Sequence, residues 1–354
     1  MGWLYLGIMI AFILYDTVRL VAIRPFSHQV LSEVEIPVNP PLVSFLVPAW
    51  NASHDIVDFV ATFRSLTYPR KELILCAGGT DLSYEIAETL SGSDVIILRQ
   101  ETGEGKQRAL ARSYAKATGE IIYLSDIDCR LTDAVVQELL QPLLIGSAEV
   151  VTGTSRPLDS QLDNAFVMAQ WAVQQATDPD VPCEVAGILG RNAALTRDAV
   201  EASGRFETPA PSGTDYTLAK EVIRSNRRIL MVPQSSMPTE FPDHVLIYAH
   251  KQGRWIANVI RLGWRYRAWG EVRNASITVI IPMALLLLVV LGFVWSELWV
   301  IDGLLIVQAL FNRMRYQRRA AMSLQVWATL THFFADQWAA SRAGMMVVSG
   351  QWRW

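Results

Sequence analysis

Between residues 42 and 272, short β-branched apolar runs alternate with stretches in which apolar side chains recur every three or four positions. The runs VSFLVPA, ELILCA, DVIILR, EIIYLSD and EVVTG predict strands, and residues 54–66, 82–90, 104–118 and 132–144 predict helices between them. Strands separated by single helices suit parallel βαβ units, so this region is predicted to be an α/β layer structure. In such sheets ligands bind beyond the carboxyl ends of the strands. The segments PAWN, AGGTD and SDIDC sit at such ends and are expected to converge on one cleft.

A second pattern has no alternation. Ala275 to Trp295 is an unbroken run without a charge, long enough as a helix to cross a hydrocarbon core of about 30 Å. The N-terminal run WLYLGIMIAFILYDTVRLVAI is also apolar and lacks a basic leader and a small-residue cleavage site, which predicts a retained anchor. Asp16 and Arg19 there are spaced to pair across one helical turn. A shorter run, ELWVIDGLLIVQALF, predicts a third span with Asp302 inside it. The last segment, residues 324–348, carries His332, Asp336 and Arg342, and either spans or lies in the interface.

The chain has 354 residues, 51% of them hydrophobic, which exceeds ordinary soluble composition. Its net charge of −3 carries little information, because the basic residues gather at the membrane borders. Arg19 and Arg24 follow the first apolar run, Arg261, Arg265, Arg267 and Arg273 precede the second, and Arg313, Arg315, Arg318 and Arg319 follow the third. By the bias of basic residues toward the inner side, the central region is expected to be cytoplasmic at the inner (plasma) membrane. Anionic lipid explains the arginines at the border, so nucleic acid is not an expected partner. Three scattered cysteines, an odd number, suit a reducing compartment.

Asp126 and Asp128 flank Ile127, and in an extended strand both carboxylates would face one side. A hard divalent cation carrying a diphosphate is a natural partner for them; aspartates capping a turn or the next helix are the plain alternative. Upstream, the GEGK run opens a predicted helix and brings Lys106 and backbone amides toward phosphate. It is not a Walker A loop, since Gln107 stands where Ser or Thr is required and Gln100 where the first glycine belongs. Downstream, Asp215 begins a predicted helix, either as a cap or as a general base. The segment HKQGRWIANVIRLGWRYRAWG predicts an interfacial amphipathic helix, which accounts for Trp264 and Trp269 better than for the compact GRW.

In this order and spacing, VPAWN, GKQRAL, SDIDC, GTDYTLA and KQGRW resemble the five motifs of the membrane-bound family-2 glycosyltransferases. That group contains the ceramide glucosyltransferase-like enzymes and the hyaluronan, chitin and cellulose synthases. The resemblance spans residues 42–256. It implies a GT-A (Rossmann-like) domain with N- and C-terminal transmembrane helices, and inverting single-displacement transfer from a nucleotide sugar, a UDP-sugar. It further implies that Asp215 is the catalytic base and that Pro48, Trp50 and Asn51 form the nucleotide loop. Lys106 would lie near the nucleotide, Asp126 and Asp128 would hold Mg²⁺ or Mn²⁺ and contact the diphosphate, and Arg254 and Trp255 would close over diphosphate and acceptor. The expected organisation is an anchor over residues 1–24, a catalytic domain over 25–241, interfacial helices over 242–273 and a membrane region of two or three helices over 274–354.

Three positions depart from the family pattern. Cys76 and Ala77 replace an aspartate pair that contacts base and ribose, with Asp81 as a partial substitute; Thr214 replaces a glutamate before the base; and Lys251 stands where Gln or Arg is expected. His250 and His332 receive no role. Anchorage on both sides of the catalytic region points to a membrane-lipid acceptor, because so few spans supply little material for a polysaccharide channel. A growing polysaccharide, or an inactive membrane scaffold of the same fold, are the alternatives.

Overall fold

The computed structural model describes residues 37–350 and, before them, positions 7, 11, 14, 15, 17, 18, 21 and 22, which are helical. The N-terminal anchor, its Asp16–Arg19 pair and Arg24 otherwise lie outside the described residues. Two compact units divide the described chain. One holds residues 37–159 together with Pro179–Glu240, and the other holds the described positions 7–22, Ser160–Asp178 and the residues from Phe241 onward.

The first unit is built on an eight-stranded mixed sheet of order β3-β2-β1-β4-β7-β5-β8-β6. Its strands are β1 (Val43–Trp50), β2 (Lys71–Gly78), β3 (Val95–Arg99), β4 (Ile121–Leu124), β5 (Val150–Pro157), β6 (Cys183–Val185), β7 (Ala193–Thr196) and β8 (Ile229–Thr239). Helices α1 (Ile56–Ser65), α2 (Ser83–Thr89), α3 (Gly105–Lys116) and α4 (Asp133–Leu144) alternate with the first strands, as the apolar pattern predicts. Later come α6 (Arg197–Ala202) and α7 (Thr214–Arg224).

The central strands read as continuous apolar runs because both of their faces are covered. Phe45, Val47 and Ala49 of β1 face one core, shared with Phe59 and Phe63 of α1 and Leu139 and Leu140 of α4. Leu46 faces the opposite core, shared with Leu110 of α3, Val200 of α6 and Leu218 and Val222 of α7. Phe45 stacks on Tyr123 of β4 at 4.6 Å and meets Phe63 edge-on at 5.3 Å.

Strands β1 to β4 are parallel, but β5 does not continue that series. The antiparallel β7 lies between β4 and β5, and β5 instead pairs in parallel with β8. Strand β7, with the sequence AALT, lacks the β-branched run that announces the others, and its pairing is decided by long-range contact. Because β1 is flanked by β2 on one side and β4 on the other, the strand order reverses there. Such a switch point leaves a crevice at the carboxyl ends of the strands.

The second unit comprises α5 (Ala165–Thr177), α8 (Val245–Tyr266), α9 (Trp269–Leu291), α10 (Glu297–Arg319) and α11 (Val326–Ser349). A Cβ on Gly253 of α8 would sit 2.8 Å from the Ala339 carbonyl of α11, so glycine permits this close approach. A polar cluster joins three helices: Tyr248 of α8 donates to Asp336 of α11 at 2.6 Å, Arg313 of α10 pairs with the same carboxylate, and His332 lies 3.0 Å from the Tyr248 hydroxyl. Among the described residues one helix, α9, is long and apolar enough to cross a membrane. It begins before Ala275, absorbing part of the predicted interfacial segment, and ends at Leu291 rather than Trp295. The predicted third span and last segment form α10 and α11, but do not meet that criterion of length and apolarity.

Candidate functional site

The site of the first unit is built at the carboxyl ends of β1, β2 and β4. Strand β4 stops at Leu124, and Asp126–Cys129 form a turn closed by the Cys129 amide donating to the Asp126 carbonyl at 3.2 Å. The two aspartates therefore do not share a side by strand alternation, as their spacing suggested. The turn instead drives Ile127 into the core while leaving both carboxylates partly exposed. Nor does either cap the next helix, because Thr132 caps α4 through the Val135 amide.

Lys106 stands in the first turn of α3, after Gly105 has reversed the chain at φ +73°. Its ammonium lies 2.5 Å from Asp126 Oδ1 and 3.8 Å from Asp215 Oδ1. Burial alone would lower the Lys106 pKa, but the carboxylates of Asp126 and Asp215 outweigh it and raise the value. Asp215 sits in the first turn of α7, whose N-cap is Gly213 at φ +72°, and it makes no cap of its own helix. Its Oδ2 instead accepts the Gly190 amide at 3.3 Å. Lys106, Asp126 and Asp215, drawn from three distant motifs, thus meet in one place.

Sequence alone does not reveal Arg191. Burial opposes its charge, yet Asp128, Asp126 and Asp215 around it raise its pKa above the ordinary guanidinium value. The neighbouring Asn192 pins this loop: its Nδ2 donates to Thr154 O, Ser235 O and Ser235 Oγ, and its Oδ1 accepts from Tyr123 at 2.7 Å. The only local signal is a polar GRN step immediately before the buried run of β7.

The Asp215 carboxylate lies directly against Gly190, where a Cβ would fall 2.4 Å from Oδ1. Gly190→Ala should displace the carboxylate without unfolding the sheet. Since a misplacement of about 1 Å can cost about a hundredfold in rate, we expect kcat to fall while nucleotide affinity and the circular dichroism spectrum are kept. Steady-state kinetics on the variant checks this.

The β1 and β2 ends form a rim beside these groups. Pro48 is half-buried and Trp50 is exposed at the strand end. Asn51 adopts a left-handed conformation (φ +53°), which asparagine tolerates. Its Oδ1 accepts the Thr80 amide at 2.7 Å, so this oxygen locks the loop against AGGTD. Burial pushes the Cys76 thiol up to about 12, so it is neutral at pH 7 and supplies no charge in place of the family's aspartates. Asp81 is engaged by the amides of Ser53 (3.1 Å) and Ser83 (3.0 Å). Arg254 and Trp255 belong to the helical unit, on α8, Arg254 half-buried and Trp255 exposed.

Oxygen donors on a partly exposed turn fit a hard divalent cation that keeps positions open for phosphate. Another group could supply ligands to a cation: one ligand atom each from His54, Asp55 and Glu240 lie within 4.8 Å of one another. Arg130 already pairs with Asp55 there at 3.1 Å. The Glu240 amide donates to the Asp128 carbonyl at 3.3 Å, which sets the two groups side by side.

The mixed α/β sheet has a GT-A-like fold. Residues 44–202 match the model of the family described as "Glycosyl transferase family 2". Glycosyltransferase GlyG of Streptococcus pneumoniae serotype 4 is 30% identical over 128 residues, which cover 35% of this chain and 42% of that protein. The probable glycosyltransferase YdaM of Bacillus subtilis is 23% identical over 252 residues, covering 65% and 59% respectively. The chain therefore spans about half the length of these curated relatives. In fold it is similar to the mannosyltransferase PcManGT from Pyrobaculum calidifontis, solved in complex with GDP-Man and Mn²⁺. The TM-score is 0.57 at 16% identity, over 98% of this chain and 96% of that one.

Proposed function

We propose that the chain is an inverting glycosyltransferase that passes one sugar from a nucleotide-sugar donor, a UDP-sugar, to a lipid at the cytoplasmic face of the inner membrane. The observation that carries this reading is the meeting of Lys106 with Asp126 at 2.5 Å and with Asp215 at 3.8 Å, at the carboxyl edge of the sheet.

Each group has a part. Asp215, partly exposed and steadied by the Gly190 amide, accepts the proton of the acceptor hydroxyl. Asp126 and Asp128 would hold Mg²⁺ or Mn²⁺, which when bound neutralises charge developing on the departing diphosphate. Lys106 and Arg191 add positive charge on the same side. Pro48, Trp50 and Asn51 form the rim for the nucleotide, and by the family resemblance Arg254 and Trp255 would act on diphosphate and acceptor. Holding donor and acceptor in line supplies much of the remaining acceleration, and no side chain need form a covalent intermediate.

The complex of PcManGT with GDP-Man and Mn²⁺ supports a nucleotide sugar and a divalent ion as the ligands. Neutral Cys76 and the engaged Asp81 leave the base without the carboxylate contact that the family pattern would provide, so GDP-sugars belong in the same test as UDP-sugars. The lipid acceptor is supported by α9, whose Ile277, Ile280, Met283, Leu286 and Leu287 are exposed, and by the border arginines and tryptophans of α8. In this reading α10 and α11 accompany α9 in the membrane, with Arg313 and Asp336 pairing inside the bundle. The domain limits given above, 1–24, 25–241, 242–273 and 274–354, are proposed with it.

Membranes containing the protein, incubated with labelled UDP- and GDP-sugars, should yield one sugar on a solvent-extractable lipid, identified by mass. Label only in water-soluble material of high mass would favour a polysaccharide product. Neither transfer nor hydrolysis with any donor would favour a scaffold.

A further inference from the structure

We propose that Lys106 is the resident counter-ion of the carboxylate site and competes with a divalent cation for Asp126, so that metal binds well only together with a nucleoside diphosphate. This rests on the glycosyltransferase reading above. Lys106 bridges the carboxylate assigned to the metal, at 2.5 Å, and the carboxylate assigned to the acceptor's proton, at 3.8 Å. A dication bound to Asp126 at about 2.0–2.6 Å would stand within a few ångströms of that ammonium, and like charges so close repel.

Arg191 and Lys106 differ in their freedom to yield. The Arg191 guanidinium is tied to Thr239 Oγ1 at 3.3 Å, and the adjacent Asn192 is held by four hydrogen bonds, so Arg191 stays. Lys106 has a third of its side chain exposed, on a flexible four-carbon stem that can leave. A diphosphate offers it a new partner and brings negative charge that offsets the dication. When Lys106 turns to that diphosphate it also withdraws from Asp215. Donor loading and release of the base are then one movement, and a bare metal ion drives neither.

The test is Mn²⁺ binding to the full-length protein in detergent, followed by electron paramagnetic resonance with and without UDP or GDP. In the wild type, nucleotide should tighten Mn²⁺ by about tenfold or more, and Mn²⁺ should tighten nucleotide by the same factor, within the ordinary range of coupling between sites. Lys106→Met should bind Mn²⁺ alone about tenfold more tightly than wild type and lose most of that coupling. Lys106→Arg, which keeps the charge, should bind Mn²⁺ alone as weakly as wild type. Lys106→Gln is measured beside Lys106→Met so that a packing defect in one variant does not decide the result. If both neutral variants bind Mn²⁺ alone no more tightly than wild type, the inference is overturned while the glycosyltransferase reading stands. If the wild type fails to bind Mn²⁺ even when UDP or GDP is present, that reading fails and the inference with it.

Discussion

Asp215→Asn is expected to lower sugar transfer about 10²- to 10⁴-fold, the ordinary contribution of a positioned general base, while donor binding is retained. Asparagine has the shape of aspartate, and its amide oxygen can still accept from the Gly190 amide that now holds Asp215 Oδ2 at 3.3 Å. What disappears is the charge that takes a proton and faces Lys106 at 3.8 Å. Loss should therefore fall on kcat, with nucleotide affinity measured by calorimetry close to wild type. Turnover near the wild-type rate would remove Asp215 from the role of base.

Asp126→Ala should have an effect of similar size on a different step. Removing a carboxylate that anchors a Lewis-acid ion forfeits several kcal/mol of stabilisation, about a hundredfold or more in rate. The same change strands the Lys106 ammonium, whose partner at 2.5 Å is gone, so the diphosphate must be held by a less ordered cation. Because Asp126 is partly exposed on a turn that keeps Ile127 in the core, the fold should tolerate the change. The expected result is loss of divalent-dependent donor hydrolysis, with chelator no longer making a difference. Hydrolysis that stayed fast and chelator-sensitive would place the metal elsewhere.

Legibility followed the range of the interactions. Strands β1 to β4 could be read directly, because burial on both faces demands continuous β-branched runs, and their helices carried the spacing of one apolar stripe. Asp126, Lys106 and Asp215 could be singled out because each ends or opens an element, where a charge needs a reason. The turn that aims the two aspartates could not be read, since a D-x-D step is compatible with a strand until Ile127 is seen to enter the core. Neither could β7, four residues whose place between β4 and β5 depends on pairings distant in sequence. Arg191 was hidden for the same reason: a single arginine in a loop becomes significant only when the fold gathers Asp126, Asp128 and Asp215 around it. The grouping of Glu240 with His54 and Asp55 likewise exists only in three dimensions. For the apolar runs, hydropathy located α9, but charges within α10 and α11 left their relation to a membrane to be argued from packing.

The proposed chemistry depends on where a divalent ion and a nucleotide diphosphate sit. A structure of the full chain with Mn²⁺ and a non-transferable nucleotide sugar tests it most directly. The predicted result is an ion between Asp126, Asp128 and the diphosphate, Lys106 turned from Asp126 to phosphate, and the sugar facing Asp215. Mn²⁺ held at His54, Asp55 and Glu240, with Lys106 still on Asp126 and the nucleotide elsewhere, would contradict it.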